Sequence, residues 1–259
     1  MGLAKTFNYY YYEMADPRVK DWPLMGNLCP TLLILASYVY FVFECGPRFM
    51  KNRPAYELNT FIRLYNMFQI TANAYIVYEI LAVYPDAAAL RCCTVDYSLN
   101  PDAIKIARIF YFFALLKIID LIETGLFVLR KKNNQISFLH VYHHLSTVFY
   151  SMMFARYMAG GMSVFFVSMN SGIHAIMYSY YFFSNIEGIK EAIHPFKRYI
   201  TIIQMVQFVF MLLHALIGLS PFCSITKVPV ILMVPNILLN FSLFYYFYRK
   251  TYLDPKNAR

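Results

Sequence analysis

Residues 107–129 read ARIFYFFALLKIIDLIETGLFVL, and this stretch decides the fold. As a helix it rises about 34 Å, enough to cross a hydrocarbon core of about 30 Å. Six other apolar runs accompany it, at about Leu28–Phe43, Phe61–Val83, Phe138–Phe154, Val164–Phe183, Tyr199–Leu219 and Val228–Tyr248. The chain of 259 residues is 59% apolar and 14% charged, against about 25% charged in soluble domains. It has too little polar surface for a soluble globule and too few water-loving residues for disorder. Nine glycines and five cysteines exclude a collagen-like repeat and a disulfide framework. Strand-like alternation is missing, which argues against a β-barrel. The expectation is an all-α polytopic membrane protein with seven transmembrane helices. Too few residues remain between spans for another folded unit, so 1–259 reads as a single integral membrane domain.

Basic residues set the orientation. Arg48, Lys51, Arg53 and Arg63 follow the first span, and Arg130, Lys131 and Lys132 follow the third. Lys190, Lys197 and Arg198 lie between the fifth and sixth, and Arg249, Lys250, Lys256 and Arg259 follow the seventh. The opposite side is diluted by Glu13, Asp16, Asp21, Asp86, Asp96 and Asp102. The positive-inside rule places the C-terminus in the cytosol and the N-terminus in the lumen. The N-terminal segment lacks the basic and apolar regions of a cleavable signal. Tyrosines 9–12, 245, 246 and 248 suit membrane interfaces. Cys92, Cys93 and Cys223 fall on the luminal side, where Cys92 or Cys93 could pair with Cys223. Cys29 and Cys45 read as packing residues. Asn240 heads the sequence Asn-Phe-Ser inside the last span and is not expected to be glycosylated.

Ionisable groups at membrane depth cost about 2.5–3.5 kcal/mol each, so they are candidates for function. In the third span Lys117, Asp120 and Thr124 share one helical face, with Glu123 beside Asp120. The fourth span opens with His140, His143 and His144, which fall on one stripe near the cytosolic side. Such a stripe is hard to reconcile with plain packing, because each imidazole needs a buried partner. In the fifth span Asn170, His174 and Tyr178 recur every four residues, and Tyr181 lies near that line. In the sixth, Thr201, Gln204 and Gln207 cluster on one side and also suit interhelical bonding. His214 and His194 are assigned to no site.

Two chemistries suit this set. Four histidines could hold one zinc ion, but a closed zinc site leaves Lys117, Asp120 and Glu123 unexplained. The alternative is acyl transfer: an imidazole serves as nucleophile and base, and a carboxylate fixes its tautomer. A lysine and a cytosolic basic cluster would meet phosphates. The substrate class would be an acyl-CoA, its tail in an apolar tunnel. A seven-span transporter with buried charges on an ion path is a further reading, as is a histidine-box metal-dependent oxidoreductase.

These residues also form boxes in order. Gly46-Pro47, Met50, Arg53-Pro54 and Tyr65-Asn66 precede Lys117–Thr124 (KIIDLIET), then His140–His144 (HVYHH). Asn170 and His174–Tyr181 (HAIMYSYY) follow, and then Thr201–Phe208 (TIIQMVQF). With them the chain resembles the fatty acid elongase family, very-long-chain 3-oxoacyl-CoA synthases of the ELO type, over nearly its whole length. One departure stands out: Asp120 occupies the family's usual Glu position and Glu123 its usual Asp position.

The resemblance implies an endoplasmic reticulum protein with six helices enclosing a substrate tunnel. It implies joining a long-chain acyl-CoA to malonyl-CoA, giving 3-oxoacyl-CoA, CO2 and CoA through an acyl-imidazole. By the same resemblance His143 is the nucleophile, and His174 acts on the malonyl unit with Asn170 and Tyr178 orienting it. His140 and His144 support the site, held by Asp120 and Glu123. Lys117, Arg130 and Lys131 face CoA phosphates, and Tyr181, Gln204 and Gln207 belong to the substrate-binding set. Cys92, near Val95–Ser98, is the expected partner of Cys223. No metal or cofactor is implied beyond malonyl-CoA as co-substrate. The implied partners are the reductases and dehydratase of elongation. A homo-oligomer is compatible with the pattern, and no nucleic acid is expected. Val141 in the histidine box resembles the branch acting on very long or polyunsaturated chains.

Overall fold

A computed structural model describes residues 2, 5, 8–85 and 90–254; Asp86, Lys256 and Arg259 from the charge reading lie outside them. Helix is the dominant regular structure of the described residues, with no strand among them. After a π-helical turn at Tyr9–Glu13 come α1 (Leu28–Tyr40), a second π turn (Phe41–Cys45) and α2 (Gly46–Met50). Then follow α3 (Asn59–Val83), α4 (Pro101–Leu129), α5 (Phe138–Tyr157), α6 (Ser163–Ser184), α7 (Lys190–Ile193), α8 (Lys197–Leu219) and α9 (Lys227–Tyr248).

Among the described residues, three helical stretches are long and apolar enough to cross a membrane: Leu28–Met50, Lys190–Leu219 and Lys227–Leu253. The chain is an integral membrane protein. Helices α3, α4, α5 and α6 have the length to cross as well, but each carries polar groups in its interior. Asn66, Gln69 and Asn73 are buried in α3, and Lys117, Asp120 and Thr124 in α4. In both helices these polar groups are turned away from the surroundings.

The elements divide into two compact units, each made of two stretches of chain. The first comprises Met1–Glu57 and Val95–Ser163, the second Leu58–Thr94 and Val164–Arg259. In the first, α4 packs along α5, and α2 packs against α4. Tyr38, Val42 and Val141 form a small core with Phe41, Leu121, Ile136 and Leu145 around it. Gly46 makes this approach possible: a Cβ there would lie 2.7 Å from Val128 Cγ1 and 2.8 Å from the Phe41 carbonyl oxygen. Helix α4 starts at an Asn100 cap, whose side chain accepts from the Ala103 amide, and Pro101 sits where no amide hydrogen is needed. Asp96 accepts from the Ser98 amide and from Asn100 Nδ2 at 2.9 and 2.8 Å. These bonds hold its carboxyl below the usual carboxylate range. The helix stops at Lys131, whose φ of 55° is the left-handed conformation that usually falls to glycine.

A buried ion pair closes the N-terminal side of this unit. Arg18 grips Asp16 through two nitrogens and donates to the Ala103 and Ala159 carbonyls, both at 2.8 Å. Both side chains are wholly buried. With every charge hydrogen-bonded, the desolvation cost of such a pair is offset. Nearby, Arg156 lies 3.8 Å over the Tyr11 ring and donates to the Tyr11 carbonyl.

In the second unit α8 packs along α9. Cys92 and Cys223 form a disulfide across 131 residues, so the bridge uses Cys92 rather than Cys93. It ties the segment after α3 to the α8–α9 turn. Lys227 fastens that turn by donating to the Gly218, Ser220 and Cys223 carbonyls. At the other end of α3, Arg63 Nη2 donates to the Asn185 carbonyl at 3.0 Å and Asn185 donates to the Asn59 carbonyl at 3.1 Å. His214 is a packed core residue between Phe165 and Phe166, with ring centroids at 4.3 and 5.4 Å.

Candidate active site

The polar face of α4 anchors the site in the first unit. Spacings of three and four residues bring Lys117, Asp120 and Thr124 into line, and all three are buried. Lys117 Nζ donates to Asp120 Oδ2 at 2.9 Å and lies 5.1 Å from the Phe113 ring. The lysine expected to meet CoA phosphates is thus committed to its own helix. Arg130 and Lys131 stand at the C-terminal end of α4. Lys131 lines a hollow of about 360 Å³ with Lys51, Asn133 and the apolar Val42, Phe43 and Met50.

Helix α5 brings the histidines to that face. The Ser137 hydroxyl caps it by accepting from the His140 amide at 3.2 Å. The His140 and His144 rings lie 4.3 Å apart, and His143 and His144 5.7 Å apart, so the three form one cluster. Glu123 Oε2 lies 3.6 Å from His144 Nε2. Thr124 Oγ1 lies 2.8 Å from His140 Nε2, and Tyr38 Oη of α1 lies 2.9 Å from the same threonine oxygen. His144 Nδ1 is buried and has no hydrogen-bond partner among the described residues. Of the exchanged acids, Glu123 faces the histidines, while Asp120 pairs with Lys117.

Glu123, His140 and His144 also bring ligand-type atoms within 4.8 Å of one another. Zinc at 2.0–2.2 Å from each donor needs donors about 3.4 Å apart. Closing on an ion would therefore contract the cluster, and His140 Nε2 is already engaged by Thr124. The residues fit a cation only after rearrangement.

The second unit carries the other set. His174 Nδ1 donates to the Asn170 carbonyl at 2.9 Å. A carbonyl only accepts, so Nδ1 holds the proton. The main chain of Asn170 provides this bond. Its side-chain oxygen is buried and has no partner among the described residues. Tyr178 is buried 6.0 Å from the His174 ring, with Tyr181 at 6.0 Å and Tyr65 of α3 at 5.9 Å. On α8, Gln204 donates to Met177 Sδ at 3.2 Å, and Gln207 lies 3.9 Å from Met211 Sδ.

Two features escaped the sequence reading. Tyr38 lies in a mostly apolar run near Ser37 and Tyr40, which no spacing pattern marks out. Tyr65, Gln69 and Asn73 do have one, a polar stripe spaced by four. Asn73 Nδ2 donates to the Gln69 carbonyl and side-chain oxygen, and Gln69 Nε2 donates to Tyr65 Oη at 3.0 Å.

The fold and these clusters define a helical membrane protein with acids and imidazoles buried among its helices. The GNS1/SUR4 (ELO) family profile matches residues 23–259. The mouse protein named very long chain fatty acid elongase 1 is 38% identical over 216 residues, covering 82% of this chain and 77% of its own. Very long chain fatty acid elongase 4 of Macaca mulatta is 35% identical over 261 residues, covering 100% and 83%. Very long chain fatty acid elongase 7 of Rattus norvegicus is 35% identical over 214 residues, covering 82% and 76%. The chain belongs to the GNS1/SUR4 (ELO) family.

Proposed function

We propose that this protein is a condensing enzyme of fatty acid elongation, a very-long-chain 3-oxoacyl-CoA synthase. It joins a long-chain acyl-CoA to malonyl-CoA and releases CO2 and CoA. The observation that carries the reading is the histidine cluster on α5, backed by Glu123 at 3.6 Å from His144 and by Thr124 at 2.8 Å from His140.

His143 attacks the thioester carbonyl, the C–S bond breaks, and CoA leaves as the thiol after taking a proton. The acyl group rests on the imidazole. The malonyl unit then loses CO2, and the enolate carbon attacks the acyl carbon. The C–N bond breaks and 3-oxoacyl-CoA leaves. An imidazolium on the cluster is stabilised by Glu123 and supplies the proton for the leaving thiolate. His174, held as the Nδ1–H tautomer, polarises the malonyl unit with Asn170 and Tyr178. The lysines at the apolar hollow suit phosphate groups carried by an amphiphile.

In the same reading, residues 1–259 form one integral membrane domain of the endoplasmic reticulum. It has seven spans, six of them enclosing an acyl tunnel, a luminal N-terminus and a cytosolic C-terminus. Lys117, Tyr181, Gln204 and Gln207 support substrate binding, through the pairings described above. The reductases and the dehydratase of elongation are its partners. No cofactor takes part besides the co-substrate. Metal-dependent oxidation draws on the Glu123, His140 and His144 cluster alone, whereas the elongase names of the curated relatives favour acyl chemistry over oxidation and transport.

Microsomes expressing the chain, given labelled malonyl-CoA and a panel of acyl-CoAs, should form labelled 3-oxoacyl products. His143→Ala should abolish them while the protein still inserts. With acyl-CoA alone, intact mass should show one added acyl group. Wild-type turnover in His143→Ala would refute the nucleophile.

A further inference from the structure

The Tyr38 hydroxyl in the first unit is buried and belongs to none of the sequence boxes. It reaches Thr124 Oγ1 at 2.9 Å, and Thr124 reaches His140 Nε2 at 2.8 Å. Besides the order in which Tyr38 and His140 both donate to Thr124, which leaves the threonine proton without an acceptor among the described residues, three polar atoms in a row allow two proton orders. In one, Tyr38 donates to Thr124 and Thr124 donates to His140 Nε2. In the other, His140 Nε2–H donates to Thr124, Thr124 donates to Tyr38, and the phenol proton has nowhere to go. Tyr38 is 7% exposed, and Thr124 is its one hydrogen-bond partner among the described residues. A buried donor left unmade costs as much as the bond would gain, or more. The first order gives both hydroxyl protons an acceptor.

We propose that Tyr38 is a positioning residue. Through Thr124 it holds His140 as the neutral Nδ1–H tautomer, its Nε2 an acceptor. The groups around His140 give this a purpose. The His144 ring is 4.3 Å away, Glu123 faces His144 at 3.6 Å, and the His143 ring is 5.7 Å from His144. A second positive charge at His140 would repel an imidazolium at His144 at close range. The relay keeps His140 uncharged, which leaves His144, the ring that faces Glu123, as the member free to take up charge beside the nucleophile His143. The histidine box thus divides into a fixed neutral member, a charge-bearing member and a nucleophile. The assignment deepens the condensation reading and rests on it for its purpose. The proton order itself rests on the burial of the Tyr38 hydroxyl and its single partner.

The test has two arms. In the first, protein labelled with ¹⁵N-histidine is reconstituted in lipid nanodiscs, with His140 assigned by comparison with His140→Gln. Wild type should show a hydrogen-free Nε2 and a protonated Nδ1 at His140, and Tyr38→Phe should show a mixture of tautomers. A protonated Nε2 in wild type overturns the proposal. In the second, Tyr38→Phe should lower kcat about tenfold, the factor for one buried hydrogen bond of about 1.4 kcal/mol, with KM for acyl-CoA unchanged. Thr124→Val should do the same, the double variant should lose no more than either single one, and Thr124→Ser should regain most of the rate. Additive losses, or full kcat in Tyr38→Phe, overturn it. Wild-type condensation with an indifferent Tyr38→Phe sinks the relay and leaves the elongation reading intact. No condensation by wild type, with the tautomer as stated, does the reverse.

Discussion

Removing one partner of the Lys117–Asp120 pair is the sharpest probe of the buried charge on α4. The Nζ–Oδ2 distance is 2.9 Å, and the side chains are 1% and 3% exposed. Lys117→Met leaves a carboxylate without its cation in a site closed to water. Its escape is to take a proton, which at pH 7 costs a carboxylate about 4 kcal/mol. Asp120→Asn leaves an ammonium, whose loss of a proton at pH 7 costs about 4.6 kcal/mol. Both figures agree with the 3–5 kcal/mol typical of breaking a buried pair from one side. At about 2–4 °C per kcal/mol for a chain of this size, each single variant should melt roughly 8–16 °C below wild type. Replacing both, as Lys117→Met with Asp120→Leu, removes the stranded charge and should recover nearly all of that. The pH dependence carries opposite signs. The Lys117→Met penalty should shrink by about 1.4 kcal/mol per unit as pH falls, because protonation becomes easier, and the Asp120→Asn penalty should shrink as pH rises. Trp22 is the single tryptophan and packs 5.1 Å from Tyr111 on the same helix. Its fluorescence during thermal unfolding in detergent reports the transition. A double variant as unstable as the singles, or penalties that ignore pH, would refute the reasoning.

Gly46→Ala should destabilise the protein by about 1–3 kcal/mol, because the new methyl meets Val128 and a main-chain oxygen. Adding Val128→Ala should relieve only the side-chain half of that clash, measured by the same melting assay. Cys92→Ser should lower stability by about 2–4 kcal/mol, since the disulfide closes a long loop; Cys93→Ser should not, and equal losses would count against the bridge. Metal analysis of purified active protein should find less than one equivalent of zinc or iron, with condensation unchanged by chelators. Stoichiometric metal lost together with activity would move Glu123, His140 and His144 to a ligand role.

Much of the helical layout is legible from apolar runs, because a membrane helix needs a length set by the bilayer. The differences have local causes. The first apolar run ends at about Phe43, yet the chain stays helical to Met50. The π turn at Phe41–Cys45 starts a fresh register at Gly46, so Pro47 falls in a first turn where no amide hydrogen is required. Helix α4 begins six residues before its apolar run, at Pro101. Asp102 and Lys105 hide that turn from a hydropathy reading, although Asn100-Pro101 is a start signal. The site divides in the same way. Helical periodicity places the histidines of α5 and the acids of α4 on shared faces. It says nothing of partners on another helix, and so it could not choose which acid meets which histidine or find Tyr38.

The interleaving of the two units bears on how the chain is made. Helix α3 leaves the ribosome with Asn66, Gln69 and Asn73 along its length, while the residues that receive its N-terminal end come much later. Arg63 and its acceptor Asn185 are 122 residues apart. At about 5–20 residues per second, that interval lasts about 6 to 24 s. During it α3 carries its polar stripe, bonded along its own helix, before the residues that receive its N-terminal end have been made.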